Sequence, residues 1–120
     1  MSRYVLAIDR WHPVLVNKLI KSHWRTAGRL KLVDKNIVGV YCQRNRIPLA
    51  QGPREVSLVV VFPSSRKGRL PDPDAYWKSL LDALVHARML IDDSRAYVRT
   101  GSVEFERASE RSTRIILEDL

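Results

Sequence analysis

Residues 54–65, REVSLVVVFPSS, are the most clearly patterned segment of the chain, and the other elements can be placed relative to them. Because the segment is β-branched and apolar, it predicts a strand buried on at least one face. A basic loop follows, and residues 72–90, DPDAYWKSLLDALVHARML, then predict a helix that opens with Asp and Pro in the favoured order. The sequence therefore places a buried strand directly before a helix.

The N-terminal half predicts one strand and one long helix. Residues 4–8, YVLAI, are typical of a short strand. From about Pro13 to Gln43, apolar residues recur at intervals near three and four, which predicts an amphipathic helix with a bend near Gly28.

Two alternating segments at the C-terminal end complete the predicted fold. Residues 95–106 and 111–120 alternate apolar and polar side chains, as expected for a terminal antiparallel pair. The resulting order, β-α-β-α-β-β, predicts an α+β (mixed α/β) fold: a single domain over residues 1–120 with a mixed β-sheet and two helices.

The distribution of charge points to an anionic partner and to a metal. The net charge is +8 and the pI about 10.2, which indicates a partner such as nucleic acid. Residues 1–71 contain fourteen Lys and Arg against three acids, whereas residues 72–120 contain seven against ten. Acids beside a basic surface would repel phosphates unless a cation lay between them.

The composition also limits where the protein is expected to work. No apolar run approaches the roughly 20 residues of a membrane helix, and the apolar core of residues 1–10 is too short for a secretory signal. Cys42 is the only cysteine, so it cannot form an internal disulfide and is expected to be a small buried side chain. A cytoplasmic protein without membrane contact is expected.

The predicted second helix and the turn after it hold five of the thirteen acids. Four apolar side chains share the helical stripe that faces the core, namely Trp77, Leu80, Leu81 and Leu84. Asp74, Lys78 and Asp82 follow one another at intervals of four and line a neighbouring edge. Since adjacent side chains of an extended segment point opposite ways, only one of Asp92 and Asp93 is expected to reach a shared site.

Taken alone, each of these polar residues has a simpler role. Asp72 or Asp74 caps the helix, which is worth about 1 kcal/mol, and Lys78 pairs with an acid four residues away. Asp92 and Asp93 belong to a polar turn. Together, downstream of a basic loop, they favour metal-assisted phosphodiester cleavage, because Mg²⁺ prefers carboxylate ligands and a lysine stabilises transition-state charge.

RLPDPDAYWKSLLDAL (residues 69–84), followed by LIDDS (residues 90–94), resembles the RusA-like Holliday junction resolvases. These small basic bacterial and phage endonucleases carry Asp-x-Asp-x-x-x-Lys at a helix start and a later Asp-Asp. The resemblance implies a homodimer that binds a four-way DNA junction and nicks two opposed strands with Mg²⁺ or Mn²⁺. It implies that the catalytic, metal-binding acids are Asp72, Asp74 and Asp93 and that the catalytic lysine is Lys78.

The sequence departs from the family pattern in two places. Ala75 stands where family members often have Asn, and the Pro-rich segment that often ends in Asn is represented only by Pro13 and Asn17. The motif acids are intact, so the departures affect the expected substrate preference and DNA contacts more than metal binding. A two-fold dimer independently suits a junction, which has approximate two-fold symmetry and needs two cuts.

Basic residues on the first helix and in the SRKGR loop are the candidates for DNA backbone contacts: Lys18, Lys21, Arg25, Arg66, Lys67 and Arg69. A solvated surface explains any single one of them equally well. His12, His23 and His86 lack the spacing of a zinc site and are expected to be structural or to contact phosphates.

Three functions remain open at the level of sequence. The leading one is a Mg²⁺-dependent, structure-selective DNA endonuclease acting on Holliday junctions in recombination and repair. The alternative is a non-cleaving module of the same fold that binds branched DNA, which Ala75 favours. The third is a nuclease of related chemistry that acts on RNA or flap substrates.

Overall fold

A four-stranded mixed sheet and three α-helices make up the fold in the computed structural model, which describes residues 2–120. The elements are, in order, β1 (Arg3–Asp9), α1 (Val16–Lys21), α2 (Trp24–Arg44), β2 (Arg54–Pro63), a 3₁₀ turn (Pro73–Tyr76), α3 (Trp77–His86), β3 (Val98–Ala108) and β4 (Ser112–Asp119). The predicted α+β class with a mixed sheet is confirmed. Over the same residues, no helix is both long and apolar enough to cross a membrane.

The strand order is β1-β4-β2-β3. Strand β4 pairs antiparallel with both β1 and β2, whereas β2 and β3 run parallel and are joined by α3. The prediction that the last two strands pair with each other is wrong, because β2 lies between them. Residues 58–62 of β2 are buried without interruption, as expected for a strand inside a sheet rather than at its edge.

The predicted long first helix is two helices, which raises the number of helices from two to three. The break falls at Ser22 and His23, not at Gly28, which lies inside α2. The Ser22 hydroxyl donates to the carbonyl of Lys18 (2.6 Å), and His23 Nδ1 accepts from the backbone N–H of Arg25 (3.2 Å). These side chains satisfy backbone groups at the end of α1 and the start of α2, so the break is capped on both sides.

The predicted second helix begins as a 3₁₀ turn and becomes α-helical at Trp77. Asp72 is the cap, since its Oδ1 accepts from the backbone N–H of Asp74 (3.0 Å). Leu80 and Leu84 are fully buried, and Trp77 and Leu81 are partly buried against the core, as the helical wheel predicts.

The core lies between one face of the sheet and the helices. Alternate residues of β1, β2 and β4 point into it, among them Leu6, Leu58 and Ile115, and α2 contributes Val38 and Cys42. Cys42 is 3% exposed, and burial raises the pKa of its thiol to about 11. The expectation of a small, buried cysteine is confirmed.

Candidate functional site

Asp72 and Asp74 lie on the surface at the start of the 3₁₀ turn, at the end of the loop that leaves β2. Both carboxylates are exposed, and the hydrogen bond from the Asp74 N–H to Asp72 holds the two residues side by side. Lys78 is exposed in the first turn of α3, four residues after Asp74. These three predicted site residues therefore share one end of α3.

Asp93 lies elsewhere, in a recess of about 440 Å³ near the other end of α3. Its lining includes Asp82, His86 and Asp92, together with Lys35 of α2. Both members of the Asp-Asp pair line this recess. The chain bends here instead of running as an extended strand.

The three acids expected to share a metal are not gathered in this structure. Among residues 2–120, no three His, Cys, Asp or Glu side chains form a group that could hold a metal ion. Asp93 lines a recess together with Asp82, which follows Asp74 by eight residues, on the order of 12 Å along a helix. Mg²⁺ usually takes one or two carboxylates and keeps several waters, so the pair Asp72 and Asp74 suits that ion without Asp93.

A second feature of the surface is a cleft of about 570 Å³ that we call the cationic cleft. Its lining comes from the segment after β1, from α1 and α2, and from the loop after β2: Trp11, His12, Pro13, Val14, Leu15, Lys18, Leu30, Val33, Asp34, Phe62, Pro63, Ser65, Arg66, Pro71, Tyr76 and Arg111. Pro71 and Tyr76 flank the acidic pair in sequence. The acidic pair is therefore linked through the chain to two residues of the cleft wall, although neither carboxylate lines the cleft itself.

Three cations of the cationic cleft carry charge that no acid neutralises. Within residues 2–120, none of Lys18, Arg66 and Arg111 forms an ion pair with a carboxylate. The Arg66 guanidinium lies 4.7 Å from the centroid of the Phe62 ring, and its Nη1 donates to the carbonyl of Arg69 (3.2 Å). Arg111 Nε donates to the carbonyl of Arg10 (3.1 Å). The two arginines are held in place, and the cleft favours an anion.

Asp34 is an acid of the cleft wall with a structural role. Its carboxylate is buried and accepts from Trp11 Nε1 (2.9 Å), the Val14 N–H (2.9 Å) and the Ser79 hydroxyl (2.7 Å). These bonds join the segment after β1 to α2 and α3. With its oxygens engaged in this way, Asp34 fixes the wall.

Two titratable groups of the cleft have shifted pKa values, His12 and Tyr76, and burial raises the pKa of Tyr76 to about 12. Burial lowers the pKa of His12, and Arg111 and Arg66 act in the same direction, against the hydrogen bond to the Val61 carbonyl. That bond, from Nε2 at 2.8 Å, requires a ring N–H, and the Phe62 ring packs edge-on at 4.9 Å. A neutral, oriented imidazole follows, in agreement with the structural role predicted for it.

Two of the six predicted DNA contacts, Lys18 and Arg66, line the cationic cleft. The other four do not line the cleft. They are exposed and follow Lys18 or Arg66 closely in the sequence: Lys21, Arg25, Lys67 and Arg69. Sequence reasoning missed Arg111 and Tyr76. Neither belongs to a local motif, since only the sheet topology brings the start of β4 and the 3₁₀ turn to the same cleft.

No protein-family model matches the chain, and the comparison with curated proteins gives no match either. The likeness to RusA-like resolvases therefore stays a prediction from the motif.

Proposed function

We propose that this protein is a structure-selective DNA endonuclease that binds four-way (Holliday) junctions and nicks them with Mg²⁺, for which Mn²⁺ substitutes. The observation that carries the proposal is that the exposed pair Asp72 and Asp74 stands in the chain between Pro71 and Tyr76, which both line the cationic cleft. A strand whose phosphates contact the cleft would pass the two carboxylates. Acids at that point weaken DNA binding unless they hold a cation.

The cations of the cleft would bind the DNA backbone. Lys18, Arg66 and Arg111 offer ammonium and guanidinium donors with no carboxylate partner among the described residues. Phosphate contacts give affinity and salt dependence but little sequence reading. Selection would then depend on the shape of the DNA, which suits a branched substrate.

The residues at the start of α3 would carry the chemistry. Asp72 and Asp74 would hold Mg²⁺, which supplies a bound water of lowered pKa and neutralises charge on the phosphate. Asp72 Oδ1 already accepts from the Asp74 N–H, so the turn fixes the direction of that carboxylate before DNA arrives. Lys78, exposed one helical turn after Asp74, would stabilise negative charge on the leaving oxygen.

A homodimer is part of the proposal. A junction has approximate two-fold symmetry and requires two cuts, which two copies of one site on a two-fold axis would supply.

A second candidate function is binding of branched DNA without cleavage. What supports it is Asp93, which the family likeness makes a metal ligand and which lines a recess together with Asp82. A two-carboxylate site would hold the ion less tightly than a three-carboxylate site. The two candidates share the cationic cleft and differ only in chemistry.

One assay separates them. A synthetic four-way junction and a duplex of equal length are incubated in Mg²⁺ with the wild type, with Asp74→Asn, and with Glu104→Gln, which changes an exposed acid on β3. The proposal expects paired nicks in the junction by the wild type and Glu104→Gln but not by Asp74→Asn. Junction binding in EDTA without nicking in any divalent metal would instead establish the second candidate, and equal nicking by all three proteins would refute the assignment of Asp74.

A further inference from the structure

We infer that the cationic cleft receives one unstacked nucleobase of a bound DNA strand, with the phosphate of that nucleotide held at its rim by Arg66 and Lys18. The inference rests on the proposed DNA-binding function and assigns a ligand to a cleft that phosphate neutralisation alone does not explain. It names an unpaired nucleotide within DNA, not a free nucleotide, as the occupant.

The lining of the cleft is too apolar for a site that binds only phosphate. The accessible apolar surface of the lining comes mainly from Leu15, Leu30 and Val33, since its three aromatic rings are each at most 7% exposed, and the cations are few among the lining residues. A groove that only neutralises a backbone needs polar walls, whereas a planar, weakly polar ring is stabilised by aromatic and aliphatic ones. The occupant should therefore combine a flat apolar part with an anion.

The dimensions fit such an occupant. The volume of about 570 Å³ falls within the range of about 300–1,000 Å³ that is usual for ligand pockets. The rings of the wall are fixed before any ligand binds, because Phe62 packs edge-on against His12 and Phe105, and Tyr76 packs edge-on against Phe105. A preformed pocket loses little side-chain entropy on binding.

The cations lie where the phosphate of a bound nucleotide would be. Arg66 is positioned over Phe62, and its planar fork of donors suits a phosphate oxygen pair. Lys18 is exposed and Arg111 is tethered to the carbonyl of Arg10. Apolar walls below and an unpaired positive rim above complement the two halves of a nucleotide.

We favour a nucleotide within DNA over a free nucleotide as the occupant, because the free-energy cost of unstacking a base differs between branched and duplex DNA. Extruding a paired base costs a few kcal/mol, and the cost is least where the base is already unpaired. A base pocket beside the acidic pair would therefore favour branched or bulged DNA over duplex. Polar side chains of the lining that could contact a base include the exposed Ser65 and the Tyr76 hydroxyl, and because such groups are few we expect little discrimination among the bases.

The test compares two oligonucleotide duplexes that differ by one base. Each carries a single-nucleotide bulge, which is either a normal nucleotide or an abasic one, and affinities are measured in EDTA by fluorescence anisotropy. We expect the wild type to bind the bulged base roughly tenfold more tightly than the abasic bulge, the loss typical of one base contact. Equal affinity for the two would overturn the inference while leaving the proposed function intact.

A matched pair of substitutions on α2 tests whether the preference for the bulged base over the abasic bulge comes from the cleft. Val33 lines the cleft and is 51% exposed, whereas its neighbour Leu32 is 55% exposed and does not line it. Val33→Trp should fill the cleft and abolish the base preference without weakening binding of the abasic bulge, and Leu32→Trp should behave as the wild type. Identical behaviour of the two variants would refute the cleft as the base site.

Two further outcomes are decisive. Deoxyadenosine monophosphate, added as a competitor, should not displace the bulged DNA at micromolar concentration. Displacement there would overturn DNA as the source and make the cleft a site for free nucleotides. If the wild type binds neither bulged duplex nor four-way junction, the inference and the proposed function both fail.

Discussion

Buried polar side chains, rather than the exposed acids, hold the candidate site in shape. Asp34 joins three segments by accepting from Trp11, Val14 and Ser79, and it lies directly in the cleft wall. Within residues 2–120, no buried side-chain nitrogen or oxygen lacks a hydrogen-bond partner. The wall is therefore rigid, which a preformed binding cleft requires.

Replacing Asp34 should destabilise the whole fold. Asp34→Ala leaves the donors of Trp11, Val14 and Ser79 without an acceptor, and it should lower the free energy of unfolding by about 3 kcal/mol or more. Ser79→Ala removes one donor and should cost about 1–2 kcal/mol. Urea denaturation followed by tryptophan fluorescence measures both, and a loss for Asp34→Ala no larger than that for Ser79→Ala would contradict this role.

His12 should give the fold a pH dependence in the acidic range. Its pKa is lowered in the folded state from 6.5, so its contribution to stability is fully present above about pH 6.5 and is lost as the pH falls below that value. His12→Gln should therefore lose less stability than the wild type between pH 7 and pH 5. Unfolding free energies at both pH values test this, and equal losses in the two proteins would exclude the contribution.

The sequence predicts the exposed residues of the site better than the buried ones. Asp72, Asp74 and Lys78 follow from a local motif and from helix periodicity, and the structure keeps them together. Asp34 carries a hint as well, because it sits four residues from both Leu30 and Val38 on the apolar face of α2. Its partners are 20 to 45 residues away in the chain, so periodicity cannot name them.

At the level of elements, Arg54 ties the start of β2 to three other segments. It is 2% exposed, and it donates to Asp119 Oδ1 (2.7 Å), to the Met89 carbonyl (3.0 Å) and to the Pro48 carbonyl (2.9 Å). The fork of the guanidinium lets one side chain reach the last strand, the loop after α3 and the loop after α2. This tie holds the end of the sheet at which β3 begins, after the segment that contains Asp93.

A lysine cannot replace that fork. Arg54→Lys should lower the free energy of unfolding by about 2–4 kcal/mol, because an ammonium cannot reach all three acceptors with the same geometry. Arg99→Lys, at the exposed pair with Glu55, should change it by less than about 1 kcal/mol. Thermal and urea unfolding of both variants measure the difference, and a similar small effect in each would show that the tie contributes little.

Element types follow from local pattern, whereas element pairing does not. The alternation of apolar and polar residues predicts that the last two strands exist. They do not pair, because β2 lies between them, and its consecutive buried residues suit the interior of the sheet. The break between α1 and α2 is missed because a histidine, an unusual cap, satisfies the start of α2. The bend predicted near Gly28 does not coincide with the break, since Gly28 lies within α2.

For the molecule as a whole, the structure shows where the basic and the acidic parts of the chain lie. The basic half supplies most of the cationic cleft, and the acidic half begins at Asp72, the residue after Pro71 of the cleft wall. This juxtaposition, rather than the total of +8, is what a metal-dependent enzyme acting on DNA needs. The predicted grouping of Asp93 with Asp72 and Asp74 depended on the path of the chain after α3, which no local pattern encodes.

If Asp74 holds a divalent ion against DNA, as we propose, then exchanging its carboxylate for a thiol should change which ion supports nicking. Asp74→Cys should lose nicking of a four-way junction in Mg²⁺ by roughly 100-fold and regain it in Mn²⁺ or Cd²⁺, because thiolates bind softer ions better. Glu104→Cys controls for an added thiol. Full activity of Asp74→Cys in Mg²⁺, or an equal loss in every metal, would contradict the account.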